Sequence, residues 1–222
     1  ISMVFGILIL SPNENFVMKL KSFANDGQIG NAGTLNDDIF GILALVASGE
    51  PVNDPVIEGA KQFILNNQRP DGSWGFAVGS AGDTNMTAMA VMALTEAGMA
   101  KTDTHIAKAL EYLKSAQNGD GGFPYDPHST YNTDSDASSD AWVISALYKL
   151  GEDPNSWTKD GHTPLEHLNS LSTPDGYYEF QEGAGEDSFT PVTTSYAVVA
   201  ISGKFYPVGK IAAPASPAVT YR

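Results

Sequence analysis

The sequence predicts an all-α fold made of about four helical hairpins, each with one outer and one inner helix. Two observations predict it: an Asp-Gly phrase occurs four times, and each occurrence lies between two helix-forming segments of different character. The phrases begin at Asp26, Asp71, Asp120 and Asp175, so successive copies are 45, 49 and 55 residues apart. A nearly constant spacing of this size indicates a repeat architecture.

An amphipathic segment precedes each Asp-Gly phrase. Apolar residues recur at helical spacing in these segments, as Ile106, Leu110 and Leu113 do before the third phrase. A single apolar stripe is typical of a helix on the protein surface. We therefore predict outer helices over residues 15–24, 56–68, 105–117 and 165–172.

A polar, glycine-rich loop and a second helical segment follow each phrase. These second segments are apolar on nearly every side, over residues 39–45, 88–94, 141–147 and 196–201. A helix that is hydrophobic all round is a buried helix, so these four are predicted to be the inner helices. Eight helices and no strand are expected.

Two of the phrases resemble a known family motif. Residues 68–74, Gln-Arg-Pro-Asp-Gly-Ser-Trp, resemble the Q-x-x-D-G-x-W repeat of the terpenoid cyclase and protein prenyltransferase superfamily, and residues 117–123 resemble a degenerate second copy. The resemblance covers roughly residues 13–206 and implies an α/α toroid, here a partial barrel. Residues 150–157 and 203–208 look more like secreted or surface-attached members, which are similar to transcobalamin and intrinsic factor.

The two ends of the chain differ in composition from the repeats. We expect residues 1–12 to be the remnant of a preceding helix or segment, and 13–208 to be the toroid domain of four repeats. Residues 209–222 are expected to link it to a missing C-terminal domain, because 212–219 are rich in Pro and Ala. The apolar stretch from Ile1 to Leu10 is far shorter than the roughly 20 residues that span a bilayer.

Charge and cysteine content exclude several functions. The formal net charge of −14 argues against binding to nucleic acid or to anionic membranes. The chain has no cysteine, which excludes a disulfide framework, a cysteine nucleophile and a thiolate metal site. No membrane insertion of this part of the protein is expected.

The resemblance implies that functional groups project from the first turns of the inner helices into a central cavity. Polar residues stand at three of those helix starts, and aromatic residues follow in two of the helices. We expect the polar side chains to converge on one concave face. The predicted ligand-binding residues are Asn36, Asp38, Asn85, Thr87, Ser138, Asp140, Trp142 and Tyr196.

Catalytic acids of the cyclase kind are only partly present. Class II cyclases of the superfamily protonate their substrate with the middle Asp of a D-x-D-D motif, and residues 35–38 align with it but have Leu35 at the first Asp. We therefore predict no catalytic residue. If the protein is a cyclase, the predicted acids are Asp37 and Asp38. Our interpretation is that both are first-turn acids stabilised by the helix dipole. The zinc site of prenyltransferases is excluded, since no Cys is present and the four His, at 105, 128, 162 and 167, lie outside the inner-helix starts.

A calcium loop is partly matched by four alternating oxygen-bearing residues, Asp134, Asp136, Ser138 and Asp140. Ser139 replaces the Gly expected at the sixth place of such a loop and Ser145 replaces the Glu expected at the twelfth. No metal site is therefore predicted, and these four residues are kept as the calcium candidate.

Two functions follow from these expectations. One is a non-catalytic extracellular or cell-surface module that binds a small molecule or an adjacent domain of the same protein. The transcobalamin-like resemblance implies cobalamin as a possible ligand. The alternative is an enzyme related to squalene and hopene cyclases, with an inner-helix Asp as general acid.

Overall fold

The computed structural model of the chain describes residues 14–209, which form a partial α/α toroid of four helical hairpins. The predicted all-α fold is confirmed. The expected remnant at 1–12 and nearly all of the expected linker at 209–222 lie outside the described residues. The outer helices are α1, Glu14–Lys21; α3, Pro55–Asn66; α5, Thr104–Ala116; and α7, Pro164–Ser170. The inner helices are α2, Asn36–Ala47; α4, Thr84–Glu96; α6, Ala137–Lys149; and α8, Thr190–Ile201.

The first hairpin departs from the prediction at its turn. Helix α1 ends at Lys21, and the next residues form a two-stranded antiparallel ribbon, in which β1, Ala24–Asn25, pairs with β2, Gln28–Ile29. The sequence predicts helix up to residue 24 and no strand, and this is wrong here. Strands of two residues carry no hydrophobic period that a sequence could show.

The inner helices pack side by side in chain order, α2 on α4, α4 on α6 and α6 on α8. Every residue of α4 from Met86 to Leu94 is buried, as its all-round apolar character predicts. Helix α8 is different, because Val192, Val198 and Ile201 are exposed. The prediction of a fully buried inner helix is therefore wrong for α8, which forms one edge of the described barrel.

One backbone hydrogen bond recurs in all four hairpins and ties each Asp-Gly turn to the inner helix that follows. The residue three places after the Asp donates its N–H to an Asp or Thr side chain in the first turns of that helix. The distances range from 2.7 to 3.0 Å. The four pairs are Ile29 with Asp38, Trp74 with Thr87, Phe123 with Asp140, and Tyr178 with Thr194.

The glutamine of the family motif joins the turn to the next hairpin. The amide Nε2 of Gln68 donates to the carbonyl oxygens of Gly72 and His105, both at 2.9 Å. In the degenerate copy, Gln117 Nε2 donates in the same way to Gly121 at 3.0 Å and to Trp157 at 2.9 Å. Each motif therefore links three elements: its own outer helix, its turn and the start of the next repeat.

Candidate functional site

A pocket of about 420 Å³ lies among the N-terminal ends of α4, α6 and α8 and the loop before α8. Its volume falls in the range of small-molecule sites. Four aromatic side chains contribute to its lining: Trp142, Phe180, Phe189 and Tyr196. We call it the central pocket.

Equivalent positions of the repeats build the aromatic floor of the central pocket. Trp142 and Tyr196 each lie two residues after the side chain that accepts the turn N–H, and their ring centroids are 4.7 Å apart. Phe40, the equivalent residue of the first hairpin, meets Trp142 edge-on at 6.3 Å. Because the repeats turn this position toward a common axis, residues 54 and 102 apart in the chain come into contact.

Tyr206 adds a further ring to this cluster from the chain segment after α8. Its centroid lies 4.9 Å from that of Trp142. Both phenols carry their proton at neutral pH and can donate hydrogen bonds, and burial raises the pKa of Tyr196 and of Tyr206 further above neutrality. Sequence reasoning missed Tyr206, since it lies outside the repeated pattern.

The polar part of the central pocket comes from helix starts and from one loop. Asn85 and Ser138 are the second residues of α4 and α6, and the Ser138 and Thr193 hydroxyls are 3.3 Å apart. Asp187 Oδ1 accepts the backbone N–H of Phe189 at 2.8 Å, which orders the loop. Among the described residues that line this pocket there is no Lys, Arg or His. The lining therefore offers hydroxyl, amide and carboxylate groups beside aromatic faces.

Half of the predicted ligand-binding residues reach the central pocket. Asn85, Ser138, Trp142 and Tyr196 line it, and the predicted convergence holds for them. Asn36, Asp38, Thr87 and Asp140 are buried and are not part of its lining. The expected convergence of the polar side chains on one face is wrong for Asp38, Thr87 and Asp140, which accept the N–H groups of the Asp-Gly turns instead.

The candidate catalytic acids also lie away from the central pocket. Asp38 accepts the Ile29 N–H at 2.7 Å, and burial raises its pKa to about 7. Asp37 accepts from the backbone N–H of Asn31 and from the hydroxyl of Thr34, both at 3.1 Å. Both stand in the first turn of α2, as the helix-dipole interpretation predicts. Neither side chain lines the central pocket.

A buried carboxylate and histidine pair is the feature that sequence reasoning missed most clearly. The ring Nδ1 of His167, on α7, lies 2.5 Å from Oδ2 of the fully buried Asp140, and its Nε2 lies 3.5 Å from Asp120. Burial raises the pKa of Asp140 to about 7. Although burial lowers the pKa of His167, its bond to Asp140 and the charges of nearby carboxylates raise it. The pair joins α6 to α7, so a histidine outside the inner-helix starts still contacts the first turn of an inner helix.

The calcium candidates have four different surroundings. Asp134 is exposed, and Asp136 caps α6 by accepting the Ser139 N–H at 2.8 Å. Ser138 lines the central pocket, while Asp140 bonds to His167. Within residues 14–209, no group of three or more His, Cys, Asp or Glu is placed to hold a metal ion. The alternation does not form a shared ligand set, since residues 136 to 140 begin a helix, where alternate side chains point in different directions.

A match over most of the sequence shows the family of the chain. Residues 13–196 match the model of the squalene-hopene cyclase C-terminal domain. The chain belongs to this family. A search of curated protein sequences found no significant match.

Solved structures share the fold of this squalene-hopene cyclase-type domain. It is similar to Candida albicans protein geranylgeranyltransferase-I complexed with GGPP, with a TM-score of 0.57 and 16% identity over 81% of this chain and 54% of that one. It is also similar to unsaturated glucuronyl hydrolase from Bacillus sp. GL1, with a TM-score of 0.60 and 16% identity over 90% of this chain and 71% of that one. The chain spans about half the length of the transferase chain. None of the helices between residues 14 and 209 combines the length and the apolar character that a membrane span requires.

Proposed function

We propose that this domain is a non-catalytic extracellular or cell-surface module that binds a small molecule in the central pocket. The observation that carries the proposal is the combination of an aromatic floor with hydroxyl, amide and carboxylate groups in one pocket of about 420 Å³. Apolar walls with a few convergent polar groups are typical of ligand sites.

The positions of the carboxylates support binding rather than acid catalysis. A general acid must reach the atom that it protonates. Asp38 is fully buried beneath the first Asp-Gly turn, and the carboxylate in the pocket, Asp187, is used to hold the loop before α8. The described lining of the pocket can therefore recognise a ligand, but it has no free carboxylic acid that could protonate the ligand as a cyclase does.

The alternative is a cyclase-related enzyme, which the family match favours. The aromatic floor could hold a carbocation by cation–π attraction, and a pKa of about 7 leaves Asp38 protonated in mildly acidic solution. This alternative requires a movement that brings Asp37 or Asp38 to the pocket, since neither lines it.

Cobalamin, calcium and an adjacent domain of the same protein remain proposals. A corrinoid is much larger than a pocket of about 420 Å³, so this proposal needs a second domain that covers the pocket and holds the ligand from the other side. Calorimetric titration of the chain with cobalamin and with CaCl₂ tests both ligands directly.

Tryptophan fluorescence tests the central pocket, because Trp142 lies in it while Trp74 and Trp157 are packed elsewhere. A ligand of the pocket should change the emission of the wild type and of Trp157→Phe, and leave that of Trp142→Phe unchanged. Incubation with squalene should give no cyclised product. A product that disappears in Asp37→Asn or in Asp38→Asn would overturn the binding proposal in favour of the cyclase.

A further inference from the structure

We infer that the ligand is a neutral oligosaccharide, which lies across the central pocket and a second pocket beside it. The inference rests on the proposed binding function and names its ligand class. The second pocket has a volume of about 200 Å³ and shares Phe180 with the central pocket. Tyr125 and Tyr131 also line it, and we call it the tyrosine shelf.

Exposed aromatic rings mark this surface. Tyr131 is 99% exposed, Phe189 70%, Tyr125 50% and Phe180 40%. Rings at such exposures contribute little to the core, and clustered exposed apolar surface indicates an interaction site. The flat face of a sugar ring carries C–H groups that pack on an aromatic face, while its hydroxyls remain at the edge to form hydrogen bonds.

Polar groups of the required kind lie between the rings. Asn132 donates from Nδ2 to Oε1 of Gln181 at 3.3 Å, which joins the two loops that form the tyrosine shelf. The carboxylates of Asp126 and Asp134 line the same shelf. Amide and carboxylate groups accept and donate the bonds that vicinal hydroxyls need.

Charge excludes other ligand classes of similar size. The described linings of both pockets contain carboxylates and no Lys, Arg or His, on a chain of net charge −14. An anion such as a prenyl diphosphate or a uronic acid would be repelled. An apolar polyene would desolvate the carboxylates of the tyrosine shelf without any compensating bond. A small ammonium ion would fill only part of the combined space and leave the amides unused.

Chain length provides the test. Wild-type protein is titrated calorimetrically with neutral hexasaccharides (cellohexaose, maltohexaose, xylohexaose and mannohexaose) and with their disaccharides. At least one hexasaccharide should bind about tenfold more tightly than its disaccharide, because only the longer chain reaches both pockets. Tyr131→Ala should reduce the affinity for the hexasaccharide to that for the disaccharide, while Phe189→Ala should weaken both.

Phe16→Ala is the matched control, since Phe16 is an exposed aromatic of α1 that lines neither pocket. It should leave every affinity unchanged. If no hexasaccharide binds while squalene, tetraethylammonium or hexagalacturonate does, the oligosaccharide assignment is overturned and the binding function stands. If none of these probes and no cobalamin binds, both proposals fail. Equal affinity of wild type and Tyr131→Ala for a bound hexasaccharide would refute the tyrosine shelf.

Discussion

Trp74 illustrates how much of one repeat depends on a single side chain. It is fully buried, and its indole Nε1 donates to the Ile64 carbonyl oxygen at 2.7 Å. Its backbone N–H donates to Thr87 on the inner helix. The same residue thus fills the space behind the turn and joins an outer helix to an inner one.

Replacing Trp74 should therefore be costly. Trp74→Ala should lower the free energy of unfolding by about 3 to 5 kcal/mol, the usual loss for removing a large buried aromatic side chain. Trp74→Phe keeps a ring and loses the bond to Ile64, so its loss should be smaller. Urea denaturation measures both. A loss below about 1 kcal/mol for Trp74→Ala would contradict the role of this residue in the repeat.

The Asp-Gly turn holds an outer helix to the repeat that follows. Gly72 has a φ of 89°, and a Cβ at this position would lie 2.3 Å from the Lys108 carbonyl oxygen on α5. Gly176 has the same place in the fourth phrase and a φ of 88°, and nothing lies within 4 Å of a Cβ there. The two glycines have the same backbone conformation and differ in the contact with a following helix.

Comparing substitutions at the two glycines therefore measures what the close approach to α5 contributes to the free energy of unfolding. Gly176→Ala should cost about 1 to 2 kcal/mol, the strain of a left-handed residue with a side chain. Gly72→Ala should cost a further 1 to 3 kcal/mol or so, because the methyl group must push α5 away. Parallel urea denaturation of the two variants gives the difference. Equal losses would show that the turn and α5 do not depend on this close approach.

Across residues 14–209, four carboxyl groups are buried and have pKa values that burial raises. Those of Asp38, Asp83 and Asp140 are raised to about 7 and that of Asp136 to about 6, from an ordinary 3.8. Hydrogen bonds from backbone N–H groups offset part of this effect. The folded protein therefore binds more protons than the unfolded chain between these pKa values. The proton uptake contributes to the free energy of unfolding. This contribution is fully present below pH 3.8, the ordinary pKa of the carboxyl group, and it is lost as the pH rises through about 7.

Stability should consequently fall between pH 5 and pH 8. Each proton taken up on folding contributes a decrease of about 1.4 kcal/mol per pH unit. Urea denaturation at pH 5, 6, 7 and 8 measures the slope. Asp38→Asn, which retains an oxygen for the Ile29 N–H, should make the slope shallower. A free energy of unfolding that rises over this range would contradict the buried acid assignment.

The sequence alone determined the hairpins and their order, because the signals for them are local. The motif around Trp74 specifies a turn within seven residues, and the flanking apolar patterns specify helices of two kinds. The repeat also placed Trp142 and Tyr196 correctly in one cluster, since equivalent positions of packed repeats face the same axis.

Which polar residues reach the pocket depends on packing between elements that are distant in the chain. A helix start is visible in the sequence, but the direction of each side chain depends on how the preceding turn packs. Asn85 lines the pocket, whereas Thr87, two residues later, bonds to the turn at Trp74. Asp140 and His167 are 27 residues apart in the chain and form a pair. Tyr206 and Trp142 are 64 residues apart, and their rings are in contact. Contacts of this kind are set by packing between elements, for which the local sequence carries no signal.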